Sequence, residues 1–116
     1  MRVISLMNAK GGVAKTTTAL CLADYLGSQK NKVLFLDLDP QANATNTLLK
    51  IDVGDEFEGK TLYDVIYEQV MQRKKGTVKE AIHSADWVDI VPASLDLEAF
   101  KEYAKSKSRN PLMLLS

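Results

Sequence analysis

The stretch Ala9-Lys10-Gly11-Gly12-Val13-Ala14-Lys15-Thr16-Thr17 decides how the chain is read. Two adjacent glycines let the backbone turn tightly and aim successive N–H groups into one concave space, which suits an anion. A helix is predicted to begin at the same place. Its unpaired N–H groups and dipole also favour negative charge. Lys15 is placed to reach terminal phosphates, and Thr16 offers a hydroxyl suited to Mg2+. A loop of this kind works only between a strand and a helix.

Both neighbours are legible. Val3 to Met7 is a short apolar run ahead of the glycines and is predicted as a buried strand. Lys15 to Ser28 carries Ala19, Leu20, Leu22, Ala23 and Leu26 at helical spacing, with Gly27 near the expected stop. Lys32 to Leu38 is a second largely apolar run, the pattern of a strand covered on both faces. Strand, glycine loop, helix and strand make a βαβ unit with a right-handed crossover.

Further on, Asp39-Pro40-Gln41 breaks the second strand, and Gln41 to Thr47 reads as a loop or short helical turn. Asp52 to Lys60, with two glycines and four acids, reads as a surface loop. A helix is predicted over Thr61 to Gln72, with Thr61 as N-cap and Asp64 three residues on. Arg73-Lys74-Lys75-Gly76 ends it, most simply as a solvated terminus. Thr77 to Ser84 is predicted as a short helix capped by Thr77, with Glu80 at the box position. Trp87 to Val91 is predicted as a third strand stopped by Pro92. Leu95 to Lys105 follows as a helix, with Leu97, Phe100 and Tyr103/Ala104 facing inward. Residues 111–115 look like the start of another element.

The glycine loop departs from the strict Walker pattern G-x-x-x-x-G-K-S/T, because positions 9 and 14 are alanines. It offers instead Lys10-Gly11-Gly12-x-x-Lys15-Thr16, with a second lysine in front. This resembles the deviant Walker A motif of the ParA/MinD family of ATPases. The next strand carries Asp37-Leu38-Asp39-Pro40-Gln41-Ala42-Asn43. That run resembles the family's D-x-D-P-Q-x-N motif, in a form closer to the ParA/Soj partition branch. Two independent motifs in the right order, each at a strand's end, make the resemblance specific over Met1 to about Thr47. Downstream it is generic. The implied fold is a P-loop NTPase-like, doubly wound, mostly parallel α/β sheet. Residues 1–116 would be the N-terminal part of a single ATPase domain.

The resemblance also implies roles. Lys10 through Thr17, namely Lys10, Gly11, Gly12, Val13, Ala14, Lys15, Thr16 and Thr17, would bind ATP. Lys15 would hold the phosphates and Thr16 would coordinate Mg2+. Thr17 would cap the helix or touch the α-phosphate. Lys10 would reach across an ATP-bound homodimer to the partner's phosphates, where charge develops during phosphoryl transfer. Asp39 would orient the attacking water, and Asp37 would lie near the Mg2+ shell. Residue by residue, both acids also read as turn formers before Pro40. The family further implies a ParB-like partner that stimulates hydrolysis, and non-specific DNA binding through residues mostly outside this sequence.

Composition sets outer bounds. Hydrophobic residues are 46% and charged residues 26% of the 116, ordinary for a globular chain of one domain at most. Fifteen basic and fifteen acidic residues cancel, so no global basic field draws nucleic acid or anionic membrane. One cysteine allows no internal disulfide, which points to a reducing cytoplasmic setting. No apolar run approaches the roughly 20 residues that span a bilayer. The resemblance adds a nucleoid association.

Lesser candidates read as structure. Cys21 is predicted buried, His83 at a surface helix end, Trp87 in packing, and Tyr63 with Tyr67 as a half-buried i, i+4 pair. The family's Walker B strand, expected between the first two strands, has no counterpart after residue 91. A longer natural protein is therefore expected. The competing readings are a MinD-like positioning ATPase, a metallocluster carrier, and a truncated module that binds nucleotide without hydrolysing it. The first needs an amphipathic membrane helix and the second needs paired cysteines; neither is seen.

Overall fold

Helix α1, Val13–Ser28, opens directly after the glycines. The structure, a computed structural model, describes residues 1–6, 13–52, 54–72 and 78–107. Along them follow β1 (Leu34–Leu36), α2 (Asn43–Leu48), α3 (Leu62–Val70), a 3-10 turn at Val78–Ala81, β2 (His83–Ser84), β3 (Asp89–Val91) and α4 (Asp96–Lys107). The strands form a sheet in the order β1-β3-β2. β1 and β3 run parallel, with Phe35 opposite Ile90. β2 pairs antiparallel to β3. The result is an α/β fold on a small mixed sheet, its β1–β3 pair parallel as the sequence implied.

Burial centres on β3. Ile90 and Val91 are fully enclosed. Val65 of α3, Ala81 and Val91 form one cluster, with Leu62 and Ile82 packed on it. Pro92 stops β3, and its carbonyl accepts the Leu62 amide at 2.8 Å, so α3 starts from the end of the strand. Thr61 precedes α3 as its N-cap. The Asp64 carboxylate accepts both the Thr61 amide (2.8 Å) and the Thr61 hydroxyl (3.1 Å), as the capping signal implied. Leu97 of α4 is buried and Phe100 is half-buried, but Tyr103 stands exposed.

Several expectations are corrected. No strand forms over the described part of Val3–Met7: residues 1–6 are unpaired, and Val3 is 80% exposed. A strand needs a neighbour for its amides. Among the described residues β1 is paired on one side, by β3. Leu34 and Leu36, on one face of β1, and Leu38 beyond it are each about half exposed despite their apolar character. The predicted helix over Thr77–Ser84 is one 3-10 turn, and His83 and Ser84 lie on β2 instead. A short segment beside an exposed strand edge gains more from pairing than from one further helical turn.

His83 is half-buried rather than at a helix end. Its Nε2 lies 2.8 Å from the Lys60 carbonyl, and its ring meets Phe57 edge-on at 4.7 Å. Lys60 in turn bonds Glu68 and Glu80, both at 2.8 Å. Cys21 is exposed, because the inward face of α1 is set by Ala23 and Gly27. The Trp87 side chain is exposed in the turn before β3. Tyr63 and Tyr67 do pair, with centroids 5.9 Å apart. The cationic run Arg73-Lys74-Lys75-Gly76, Thr77 and the tail at 111–115 lie outside the described residues.

The left-handed Lys30, at φ 67°, ends the turn after α1, and Gly27 lies one residue before the helix end at Ser28, near the stop the sequence implied. Its role is close approach. A Cβ there would overlap the Trp87 carbonyl oxygen and lie 2.8 Å from Trp87 Cβ. Gly27→Ala is therefore expected to destabilise the fold by about 1–3 kcal/mol, although alanine is the better helix former. Denaturant unfolding measures this, and a stabilised variant would contradict the contact.

Candidate functional site

The first turn of α1 contains no acidic residue. It does contain Lys15, half-buried, followed by a half-buried Thr16 and an exposed Thr17. That arrangement runs against helix energetics. The positive end of a helix dipole favours acids and disfavours a lysine, typically by about 0.3–1 kcal/mol. Helix-terminal amides lack intrahelical partners as a rule, and here a hydroxyl and a cation stand beside them with no acid in the first turn. An anion with several oxygens satisfies all of them. Val13 and Ala14 open the helix, whereas Lys10, Gly11 and Gly12 lie outside the described residues.

The second motif folds into two consecutive Asx turns. Asp37 Oδ1 accepts the Asp39 amide at 3.1 Å, and Asp39 Oδ1 accepts the Gln41 amide at 3.0 Å. The Asp39 carbonyl then accepts the Ala42 amide at 2.9 Å. Ala42 adopts the left-handed region, φ 57°, and turns the chain into α2. Proline at 40 suits such a turn, and it is buried.

The two acids end in different surroundings. β1 finishes at Leu36, and the Asp37 amide still reaches the Val91 carbonyl at 3.3 Å. Asp37 is 4% exposed, while Asp39 is half-buried. Asp37 Oδ2 accepts the Thr45 amide (3.0 Å) and the Thr45 hydroxyl (2.7 Å). Thr45, 1% exposed, accepts the Ala93 amide on the same hydroxyl at 2.8 Å. Thr45 carries no motif of its own. The signal available in the sequence is the small-residue run Ala42–Thr45, in which only Ala44 and Thr45 face inward.

Burial pushes the Asp37 carboxyl above its ordinary value of 3.8. The Thr45 hydroxyl and the Asp39 and Thr45 amides oppose that rise, and the nearby Asp39 charge adds to it. The folded state thus holds the Asp37 proton more tightly than the unfolded chain does. Its contribution to stability is present in full below pH 3.8 and is lost as pH rises through the raised value. A carboxyl-carbon NMR titration is expected to place the Asp37 midpoint above 3.8. A midpoint below it would mean that the hydrogen bonds outweigh burial.

Among the described residues, no group of three or more His, Cys, Asp or Glu side chains is arranged to hold a metal ion. Mg2+ asks for no such cage. It commonly takes one or two protein oxygens, with phosphates and waters completing the shell. A threonine hydroxyl at the anion-seeking end of α1 fits that demand.

The AAA domain family model matches residues 1–115. The chromosome-partitioning ATPase Soj of Thermus thermophilus is 38% identical over 97 residues, covering 84% of this chain and 34% of that protein. A plasmid partition protein from Borrelia burgdorferi superposes with a TM-score of 0.67 at 32% identity, over 84% of this chain and 41% of that one. Cobyrinic acid a,c-diamide synthase from Mycobacterium smegmatis, solved with an ATP analogue and magnesium, gives 0.67 at 27% identity, over 94% and 42%. The chain thus spans about a third of the length of curated partition proteins that it matches. By its two motifs, its fold and these matches, the chain belongs to the AAA domain family, and its relatives there include ParA and Soj partition proteins.

Proposed function

We propose that the protein is an ATP-binding, weakly hydrolysing partition ATPase that segregates chromosomes or plasmids, with residues 1–116 as the N-terminal part of its ATPase domain. One observation carries this reading: a lysine and a threonine occupy the first turn of α1, where no acid offsets the helix dipole. That turn follows the Lys10-Gly11-Gly12 loop and is joined in sequence to the double Asx turn of the second motif.

In this reading Gly11 to Thr17 present backbone amides to the phosphates, and Lys15 adds a point charge to the terminal ones. Thr16 holds Mg2+, and Asp37 stands near the ion's shell. When bound, Mg2+ neutralises charge on the phosphate oxygens. Asp39, half-buried on its turn, orients the attacking water. Lys10 acts across an ATP-bound homodimer, so that assembly and hydrolysis are coupled. Non-specific DNA binding, a ParB-like partner that stimulates hydrolysis, and a cytoplasmic, nucleoid-associated location complete the proposal. No membrane attachment is part of the proposal. Among the described residues no helix is long and apolar enough to cross a bilayer.

The test is size-exclusion chromatography of the full-length natural protein with and without Mg-ATP, run beside a phosphate-release assay. A shift from monomer to dimer with ATP and a slow, Mg-dependent release support the reading. Nucleotide-independent elution without phosphate release overturns it.

A further inference from the structure

We propose that Thr45 is a positioning residue for hydrolysis, tying the Asp39 turn to the end of β3 through the buried chain Ala93–Thr45–Asp37; the proposal rests on the ATPase reading above. The direction of each bond follows from chemistry. The Ala93 amide can only donate, so at 2.8 Å the Thr45 oxygen must accept it. The hydroxyl proton is then left for Asp37 Oδ2, 2.7 Å away. The Thr45 amide makes a second bond to that same oxygen, at 3.0 Å. The other Asp37 oxygen takes the Asp39 amide. Thus one hydroxyl connects the strand end to the backbone nitrogen of the residue proposed to orient water.

Burial makes the connection stiff. Thr45 and Asp37 are 1% and 4% exposed, so solvent offers neither of them a replacement partner. The strand end is fixed in turn. The Pro92 carbonyl takes the first amide of α3, and Val91 lies in the core cluster. Among the described residues Asp39 bonds to its own turn and to Asp37, through Gln41, Ala42 and the Asp37 carboxylate. Besides the Asp37 amide on the Val91 carbonyl, Thr45 is the hydrogen-bonded tie of this turn to the end of β3. Nucleotide binding, by contrast, is assigned to the loop before α1 and to the first turn of that helix. Loss of the Thr45 hydroxyl should accordingly separate binding from turnover.

The experiment compares Thr45→Val, which keeps the shape and loses the hydroxyl, with Thr45→Ser, which keeps the hydroxyl. Both are made in the full-length natural protein, and ATP affinity, kcat and thermal unfolding are measured. Thr45→Val is expected to lower kcat by about 10- to 100-fold, the scale of a displacement of about 1 Å at a reacting group. Its ATP Kd should stay within about threefold of wild type, and Thr45→Ser should recover at least about a third of kcat. A Thr45→Val protein with wild-type kcat overturns the proposal. So does one whose affinity falls in step with its rate, or a serine variant as slow as the valine. If Thr45→Val does not fold, Thr45→Ala is judged by the same criteria. If neither folds, Thr45→Ser decides alone: a rate near wild type supports the role, and a loss above about tenfold overturns it. A wild-type protein that binds no ATP overturns the ATPase reading itself. Wild-type turnover with an unaffected valine variant overturns only the role of Thr45.

Discussion

Lys15→Ala in the intact protein is expected to weaken Mg-ATP binding by at least about 100-fold, close to 2.7 kcal/mol. The magnitude follows from two contacts. A charge-assisted hydrogen bond contributes about 1.5–3 kcal/mol, and a lysine at this position offers more than one donor to terminal phosphates. The folded protein should not suffer. Lys15 sits half-buried in a first turn where a cation is unfavourable, and alanine is the best helix former. Unfolding should therefore move little, or toward higher stability. The pair of outcomes is what matters. Calorimetric or fluorescence titration showing unchanged ATP affinity would refute the assignment of the loop. Lost affinity in a destabilised protein would point to misfolding.

Asp39→Asn is expected to reduce ATP hydrolysis by about 100- to 1000-fold while ATP still binds, within the usual range for a positioned acid–base group. Asparagine is the informative replacement. The structure gives Asp39 a local job, accepting the Gln41 amide at 3.0 Å, and an asparagine oxygen can do the same. The turn survives and the negative charge goes. An alanine would remove both at once and confuse the two roles. Phosphate release measures the rate, and chromatography with ATP should show the dimer accumulating. Wild-type hydrolysis by the asparagine variant would leave Asp39 as a turn former only.

The sequence carried the family and the order of most elements, because both depend on local patterns. The first helix, the strands within Lys32–Leu38 and Trp87–Val91, the Thr61–Asp64 cap and the turn-forming habit of Asp37 and Asp39 all rest on spacing over a few residues. What was not legible depends on contacts between distant residues. Val3–Met7 has the composition of a strand, but a strand forms only against a partner. Gly27 stands near the helix stop as its position implied, but its close approach to Trp87, far along the chain, has no local signal. Local spacing places His83 in a helix because it does not reveal the edge of β3. Thr45 carries no local signal, since its bond is to Ala93, 48 residues away.

The apolar stripe of Leu34, Leu36 and Leu38 has a practical consequence. A bare edge bearing leucines is a template for another molecule's backbone, and greasy area of this kind drives clumping in solution. Residues 1–116 purified alone should scatter light increasingly with concentration. A charged substitution such as Leu36→Lys should keep such a preparation clear, because a cation on an edge strand deters sticking between copies.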